Sequence, residues 1–334
     1  MPKLLIQMNK NCKFVLSYRN NRIKMNRKIK EYLLLTLKGM AMGAADVVPG
    51  VSGGTIALIT GIYEELIYSI KSINLKALKL LFTGKPAAFW KTINGSFLLS
   101  VLLGIAISIF SLARGLTYLL HNYPILVWSF FFGLIIASAI YVARTIKSWN
   151  AGAVIAGIAG IVIAYFITVI SPTEANSSWY YIFFSGMIAI CAMILPGISG
   201  SFILVLLGMY QFILGAVGDL NIPVLLLFLS GAAIGIVAFS NFLSWLLKKF
   251  HTLTIALLAG FMVGSLNKIW PWKEVTKSFI DRHGEARALA ERNILPGTYE
   301  TLTGNESLLW GAILFLVIGF MLIFVIEAAS KKKR

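Results

Sequence analysis

The feature that most constrains this chain is a Pro-Gly-x-Ser-Gly segment that occurs twice inside apolar sequence. Residues 48–54 read VPGVSGG, and residues 195–201 read LPGISGS. When residues 39–63 are aligned with residues 186–210, ten of the 25 positions are identical. Similarity of this kind at a constant offset of 147 residues indicates an internal repeat rather than two unrelated segments.

Each copy predicts a helical hairpin whose tip lies inside a membrane. An apolar run meets Pro-Gly, a small polar cluster follows, and a second apolar run ends in Gly-x-Tyr. Proline ends a helix, glycine permits the turn, and serine can cap the next helix. The residues expected at the tips and caps are Pro49, Gly50 and Ser52 in the first copy, and Pro196, Gly197 and Ser199 in the second. Pro-Gly can also simply kink a transmembrane helix, but the repetition favours the hairpin.

The composition excludes a soluble enzyme. With 58% hydrophobic and only 13% charged residues, the chain has the profile of an integral membrane protein. The net charge of +17 is concentrated in short loops and tails, where it indicates topology rather than nucleic-acid binding. The two cysteines, Cys12 and Cys191, suggest neither a disulfide framework nor a metal cluster.

The distribution of basic residues predicts the domain organisation. Residues 1–30 carry nine Lys or Arg and no acid, and are expected to form a basic cytoplasmic segment. Residues 31–170 form a first membrane repeat, and residues 171–334 form a second repeat that includes an extracytoplasmic loop at 271–306. Both termini are therefore predicted to lie in the cytoplasm.

The two halves are predicted to have opposite orientations. The loop at 171–178 lacks Lys and Arg and is predicted to be extracytoplasmic, whereas Lys85 and Lys248 are predicted to be cytoplasmic. The residues around Gly260 also echo those around Gly133, which pairs the later spans. We therefore expect an all-α polytopic membrane protein with two inverted-topology repeats, each of one re-entrant helical hairpin plus three transmembrane helices. That architecture is typical of secondary transporters.

The residues around both motifs resemble a bacterial membrane family. Residues 39–57 (GMAMGAADVVPGVSGGTIA) and 192–202 (AMILPGISGSF) are similar to the former domain-of-unknown-function family now regarded as polyprenyl-phosphate transporters, the PopT-type undecaprenyl-phosphate translocases. The resemblance implies a flippase of the bacterial cytoplasmic (inner) membrane. Such a protein returns undecaprenyl phosphate, or a related polyprenyl phosphate, to the cytoplasmic leaflet by alternating access and so recycles the lipid carrier of cell-wall synthesis.

The polar residues of the two motifs are the candidate site for the lipid phosphate. Backbone N–H groups at a helix start favour an anion, and glycine lets the anion approach the backbone closely. The candidate phosphate-binding residues are Ser52, Gly53, Gly54, Thr55, Ser199, Gly200 and Ser201. Arg114, near the outer end of its span, either adds a positive charge to this site or snorkels to the lipid headgroups.

Three acidic residues are candidates for coupling or gating. Asp46 lies three residues before Pro49, where an ionisable side chain is costly and usually functional, and its repeat partner is Met193. It is expected to gate transport or to bind a coupling H+ or Na+, or else to be a buried acid bonded to backbone. Glu64 and Glu65 have the same candidate role, or are simply interfacial acids. No other cofactor and no metal site is expected.

Two other functional classes fit the motifs less well. A serine hydrolase needs a base beside its serine, and the histidines, His121, His251 and His283, are predicted at span ends or in an outside loop. The motif also resembles the Pro-Gly-x-Ser-Arg-Ser of undecaprenyl-pyrophosphate phosphatases, but Gly53 and Gly200 replace its arginine. Losing that charge impairs phosphoryl transfer more than binding. A phosphatase-like membrane enzyme and a small-anion transporter remain the alternatives.

Overall fold

The computed structural model describes residues 27–48, 51–280 and 286–331. The first half contains the helices α1 (Ile29–Val47), α2 (Gly53–Ile59), α3 (Tyr63–Lys71), α4 (Leu75–Phe82), α5 (Pro86–Thr92), α6 (Gly95–Asn122), α7 (Pro124–Arg144) and α8 (Ala151–Val169). The second half contains α9 (Trp179–Ile194), α10 (Gly200–Leu206), α11 (Tyr210–Gly218), α12 (Ile222–Lys249), α13 (His251–Gly264), a 3-10 turn (Ser265–Asn267), strands β1 (Lys273–Ile280) and β2 (Ala286–Asn293), α14 (Pro296–Thr303) and α15 (Leu309–Lys331). Pro49, Gly50, His283 and the side chain of Arg114 lie outside the described part of the chain.

Within the described residues, four helices are long and apolar enough to cross a membrane: α6, α7, α8 and α12. The bent pair α10–α11 is a fifth candidate, as a broken span or a re-entrant segment. Shorter apolar helices are α9, α13 with its 3-10 turn, and α15 over Leu309–Val325. The prediction of a helical, polytopic membrane protein is confirmed.

Four helix pairs form most of the packing: α1 with α6, α9 with α12, α7 with α15, and α8 with α13. In each pair, one glycine on each helix lies so close to the partner that an added Cβ would overlap a backbone carbonyl oxygen. These reciprocal glycines are Gly39 and Gly104, Gly186 and Gly231, Gly133 and Gly319, and Gly160 and Gly260. Small residues of this kind let membrane helices approach closely and gain van der Waals contact.

The second apolar run of each motif ends at Gly-x-Tyr, as the sequence predicts, but the chain then continues into a further short helix. Between α2 and α3 the turn passes through Gly61, whose φ of 73° is left-handed. Gly208 has a φ of 67° at the equivalent turn between α10 and α11, and these two helices differ in direction by 109°. Each motif therefore leads into two short helices joined at a glycine with a left-handed φ.

The polar loop at 271–306 contains an element that the sequence did not predict. Strands β1 and β2 form an antiparallel hairpin, with register shifts near Val275 and Lys277. The indole N–H of Trp270 donates to the carbonyl oxygen of Ile294 at 2.8 Å and fixes the end of the hairpin against the loop's first residues. The expectation of an all-helical chain is therefore wrong for this loop.

Candidate functional site

The two Pro-Gly-x-Ser-Gly motifs, one from each half, meet in space. The Ser52 hydroxyl lies 3.2 Å from the carbonyl oxygen of Met193 and 3.1 Å from that of Leu195. The Tyr63 hydroxyl donates to the carbonyl oxygen of Ile194, between those two, at 3.2 Å. These three carbonyls lie at the C-terminal end of α9. Pro196 follows them and has no N–H, so the helix cannot continue and supply their usual hydrogen-bond donors. Side chains of the first motif thus satisfy the broken backbone of the second.

The second motif returns one hydrogen bond and is packed tightly. The Gly197 N–H donates to Thr55 Oγ1 at 3.0 Å, and the Thr55 side chain is fully buried. Gly197 has a left-handed φ of 86°, and a Cβ there would lie 2.7 Å from Ser265 Oγ and 2.9 Å from the Phe261 carbonyl oxygen. On the other side of the junction, a Cβ at Gly54 would lie 2.5 Å from the Ile194 carbonyl oxygen. The glycines therefore let backbone meet backbone.

The start of α2 is occupied by the chain's own groups. Ser52 Oγ accepts a hydrogen bond from the Gly54 N–H at 3.0 Å, as expected for an N-cap. Asp46 Oδ1 accepts one from the Gly53 N–H at 2.7 Å, and a Cβ at Gly53 would lie 2.5 Å from Asp46 Oδ2. A carboxylate is favourable at this end of a helix. The Asp46 carboxylate thus lies at the first tip, where the sequence analysis expects a phosphate.

The second tip has no such occupant. Ser199 caps α10 by accepting from the Phe202 N–H at 3.2 Å, and its hydroxyl lies 2.8 Å from that of Ser201. Met193 stands at the repeat position of Asp46, so this motif supplies no carboxylate of its own. Within the described chain, the N–H groups of Gly200 and Ser201 have no hydrogen-bond acceptor.

The other acidic candidates, Glu64 and Glu65, make polar contacts with residues outside the two motifs. Glu65 forms an ion pair with Arg27 at 2.7 Å, with only 11% and 9% of the two side chains exposed, and accepts a further hydrogen bond from Asn94 at 2.8 Å. Glu64 lies 2.9 Å from the imidazole Nε2 of His251. Arg27 belongs to the basic segment predicted at 1–30, so the end of that segment is attached to the first repeat.

Two lysines that sequence reasoning missed lie beside the short helices of the motifs. Lys38 donates to the carbonyl oxygen of Thr60, at the end of α2, at 2.7 Å. Lys268 places its ammonium 4.9 Å from the centre of the Phe202 ring, immediately after the second motif. Both lysines are distant along the chain from Thr60 and Phe202, so the spacing of the motifs does not predict these contacts. The available signal was a basic residue inside or directly after an apolar helix, Lys38 within α1 and Lys268 after α13 and its 3-10 turn.

Comparisons with known proteins agree with the resemblance noted from the motifs. Residues 42–287 match a family model named VCA0040-like and described as undecaprenyl phosphate translocase-like. A polyprenyl-phosphate transporter from Vibrio cholerae serotype O1 is 46% identical over 305 residues, which cover 91% of this chain and 99% of that protein. A polyprenyl-phosphate transporter from Staphylococcus aureus is 35% identical over 253 residues, or 70% of this chain and 85% of that one. No solved structure gives a significant match.

Proposed function

The chain belongs to the undecaprenyl phosphate translocase-like family, and on that premise we propose that it moves a polyprenyl phosphate across the bacterial cytoplasmic membrane. Both curated relatives are named polyprenyl-phosphate transporters. The proposed substrate is undecaprenyl phosphate, returned from the outer to the cytoplasmic leaflet for renewed use in cell-wall synthesis.

The observation that carries this proposal is the meeting of the two broken helices. Backbone that is not helical is tolerated at membrane depth only where it is buried in protein or lines a water-filled cavity. Here the side chains of Ser52, Tyr63 and Thr55 hydrogen-bond to the backbone of the opposite motif. A junction between repeats, formed by discontinuous helices, is where secondary transporters hold their substrates.

Within this junction, we place the lipid phosphate at the second tip. The unpaired N–H groups of Gly200 and Ser201, with the hydroxyls of Ser199 and Ser201, offer donors to a group that carries about −1.5 to −2 charge near pH 7. Ser52 and Thr55 are fully buried and already join the halves, so their proposed role is to hold the junction. Arg114 remains a proposed additional positive charge.

The proposed coupling step centres on Asp46. Its carboxylate accepts the hydrogen bond of the Gly53 N–H and would repel an incoming phosphate. Uptake of H+ or Na+ by this carboxylate removes the repulsion and weakens the hold on Gly53, so that both tips can share the phosphate. Glu64 and Glu65 are retained as proposed gating residues through their contacts with His251 and Arg27.

The packing supports two inverted repeats that work by alternating access. The pair α1–α6 of the first half corresponds to α9–α12 of the second, and Gly39 and Gly186, which are equivalent in the repeat, close these two contacts. Gly133 and Gly260, which the sequence also pairs, close the contacts of α7 with α15 and of α13 with α8. If the helices of the first half are replaced by their repeat equivalents in the second half, and the reverse, the same four helix pairs result.

The surroundings of Gly53 argue against phosphate cleavage. The space next to it is filled by the Asp46 carboxylate, where the phosphatase motif would need room for an arginine. A small-anion transporter differs from the proposed function in needing no lipid tail. Release of phosphate from undecaprenyl pyrophosphate would favour an enzyme, and equal transport of inorganic phosphate would favour the small-anion alternative.

The test is binding and transport of undecaprenyl phosphate by purified protein in nanodiscs and proteoliposomes. Wild-type protein should prefer undecaprenyl phosphate to uncharged undecaprenol. Gly200→Val should abolish this preference, because a Cβ there would lie 2.8 Å from the carbonyl oxygen of Ala189 and would displace the start of α10. Gly297→Val is the matched control, since a Cβ there meets nothing within 4 Å. Equal binding of the phosphate and the alcohol by wild-type protein would overturn the proposed substrate.

The proposed topology has a separate test. Single cysteines in a background that lacks Cys12 and Cys191 can be labelled on intact cells with an impermeant maleimide. Positions in 171–178 should react, whereas positions 85 and 248 should react only after permeabilisation. Labelling of position 85 on intact cells would contradict the inverted arrangement.

A further inference from the structure

A pair of lysines on the predicted extracytoplasmic side of the second tip shares a single carboxylate. Lys268 follows the 3-10 turn after α13, and Lys273 begins β1. Their ammonium groups lie 3.0 Å and 3.3 Å from the same oxygen, Oε2 of Glu291 on β2. Glu291 is therefore held by two cations that approach from two different elements.

Aromatic rings support the two ammonium groups. The Lys273 ammonium lies 4.2 Å from the centre of the Trp128 ring on α7, and only 8% of the Lys273 side chain is exposed. The Lys268 ammonium lies over Phe202, the residue that follows Ser201 of the second motif. Contacts with ring faces hold cations in place without neutralising them. The cluster thus joins the β-hairpin to the start of α10.

Among the residues that the structure describes, the cluster of Lys268, Lys273 and Glu291 has one positive charge more than its carboxylate can balance. The other described charges of the hairpin, Glu274 and Arg292, pair with each other at 2.7 Å and contribute no net charge. Burial lowers the pKa of Lys273 to about 8, Glu291 opposes this shift, and Lys268 adds to it. A second negative charge at this point would relieve the repulsion between the lysines.

We propose that Lys268 and Lys273 form an outer binding site for the phosphomonoester headgroup, in which the Glu291 carboxylate occupies the place that the phosphate takes. This inference rests on the proposed function and extends it, because it gives the headgroup a cationic site one residue from the second motif. A phosphate with about two negative charges bridges both ammonium groups and neutralises them more completely than one carboxylate does. Glu291 then acts as an internal competitor that lowers affinity and allows release.

The test measures equilibrium binding of farnesyl phosphate to the purified full-length protein, with farnesol as the uncharged control. Measurements are made at pH 6.5, which lies below the pKa of about 8 to which burial lowers Lys273. Lys268→Gln and Lys273→Gln should each weaken binding of farnesyl phosphate by about tenfold, the effect of one charge-assisted hydrogen bond. Glu291→Gln should tighten it by roughly fivefold, because the competing carboxylate is lost.

Arg292→Gln is the matched control. It removes a positive charge from the residue next to Glu291 on the same strand, but its guanidinium pairs with Glu274 and is 67% exposed. Binding should therefore stay within about twofold of wild type. A gain of affinity in Glu291→Gln cannot result from misfolding, so this variant keeps the test valid if a lysine variant is unstable.

Two results separate this inference from the proposed function. If wild-type protein transports undecaprenyl phosphate, while the lysine and Glu291 variants bind farnesyl phosphate as wild type does, the outer site is refuted and the transporter stands. If wild-type protein neither transports undecaprenyl phosphate nor prefers farnesyl phosphate to farnesol, the proposed function itself fails. Weaker binding in both lysine variants with tighter binding in Glu291→Gln supports the outer site.

Discussion

Replacement of Gly197 by alanine should destabilise the protein through two effects that can be measured separately. An L-residue at a φ of 86° costs about 1–2 kcal/mol. The new Cβ would also lie 2.7 Å from Ser265 Oγ and 2.9 Å from the Phe261 carbonyl oxygen. Because a carbonyl inside a helix cannot rotate away, the tip must shift, at a further cost of about 1–2 kcal/mol. The expected loss of unfolding free energy is therefore about 3 kcal/mol.

Two other glycines separate these effects. Gly61 has a similar φ of 73° but no atom within 4 Å of an added Cβ, so Gly61→Ala should cost only the conformational part, about 1–2 kcal/mol. Gly297 has neither strain nor neighbours, so Gly297→Ala should be close to neutral.

The assay is the apparent melting temperature of each purified variant in detergent. At roughly 2 °C per kcal/mol, the expected decreases are roughly 6 °C for Gly197→Ala and roughly 3 °C for Gly61→Ala. Transport should fall further in Gly197→Ala, since its substitution displaces the junction. Equal decreases in melting temperature for the two variants would refute the packing of the second tip against α13.

Three further predictions concern charged residues. Asp46→Asn should leave the protein folded but remove the pH or Na+ dependence of transport in proteoliposomes; an unchanged dependence would refute coupling through this carboxylate. Arg27→Met should cost about 3 kcal/mol of unfolding free energy, because it leaves the carboxylate of Glu65 buried without its ion-pair partner. A double-mutant cycle with Glu65→Gln should show that the two losses of stability are not additive. Since burial lowers the pKa of Lys273 to about 8 against the opposing effect of Glu291, the unfolded chain binds more protons above that pH. The stability of the wild type relative to Lys273→Met should therefore rise as the pH increases through 8. A fall in the difference between the two melting temperatures over this pH range would contradict the prediction.

Local chemistry made much of the helical framework predictable from sequence. Proline cannot continue a helix, and a serine two or three residues later can cap the next one, so the breaks and the caps at Ser52 and Ser199 followed from the motifs. The glycine of Gly-x-Tyr marked the second turn, at Gly61 and Gly208, because glycine accepts a left-handed conformation. The spans followed from hydropathy, which reports on the membrane rather than on tertiary contacts.

The parts that sequence did not predict depend on contacts between distant residues. Lys268 reaches Glu291 and Phe202, and Arg27 reaches Glu65, across separations that no periodicity encodes. The β-hairpin was missed because its strands lack a regular alternation of apolar and polar residues and its register is interrupted. The position of Asp46 near the tip was predicted from its spacing.

That Asp46 accepts from the Gly53 N–H depends on how the chain turns between α1 and α2, which spacing alone does not determine. The sequence placed an acid and a helix start close together, but not in contact. Both had been assigned to function separately, the acid to coupling and the helix start to phosphate. In the structure the two are hydrogen-bonded to each other, and this contact is the reason why the second tip is the proposed phosphate site.

The reciprocal glycines have a mechanical consequence. Each of the four helix pairs interlocks backbone against backbone, so sliding within a pair would force atoms into overlap. We therefore expect each pair to move as a rigid rod during a transport cycle, with displacement concentrated in the seam where the motifs meet. Carbonyl acceptors in that seam can exchange one donor for another at little net cost, because hydrogen bonds are replaced rather than lost. Stiffness within the pairs would thus direct thermal motion to the proposed binding site.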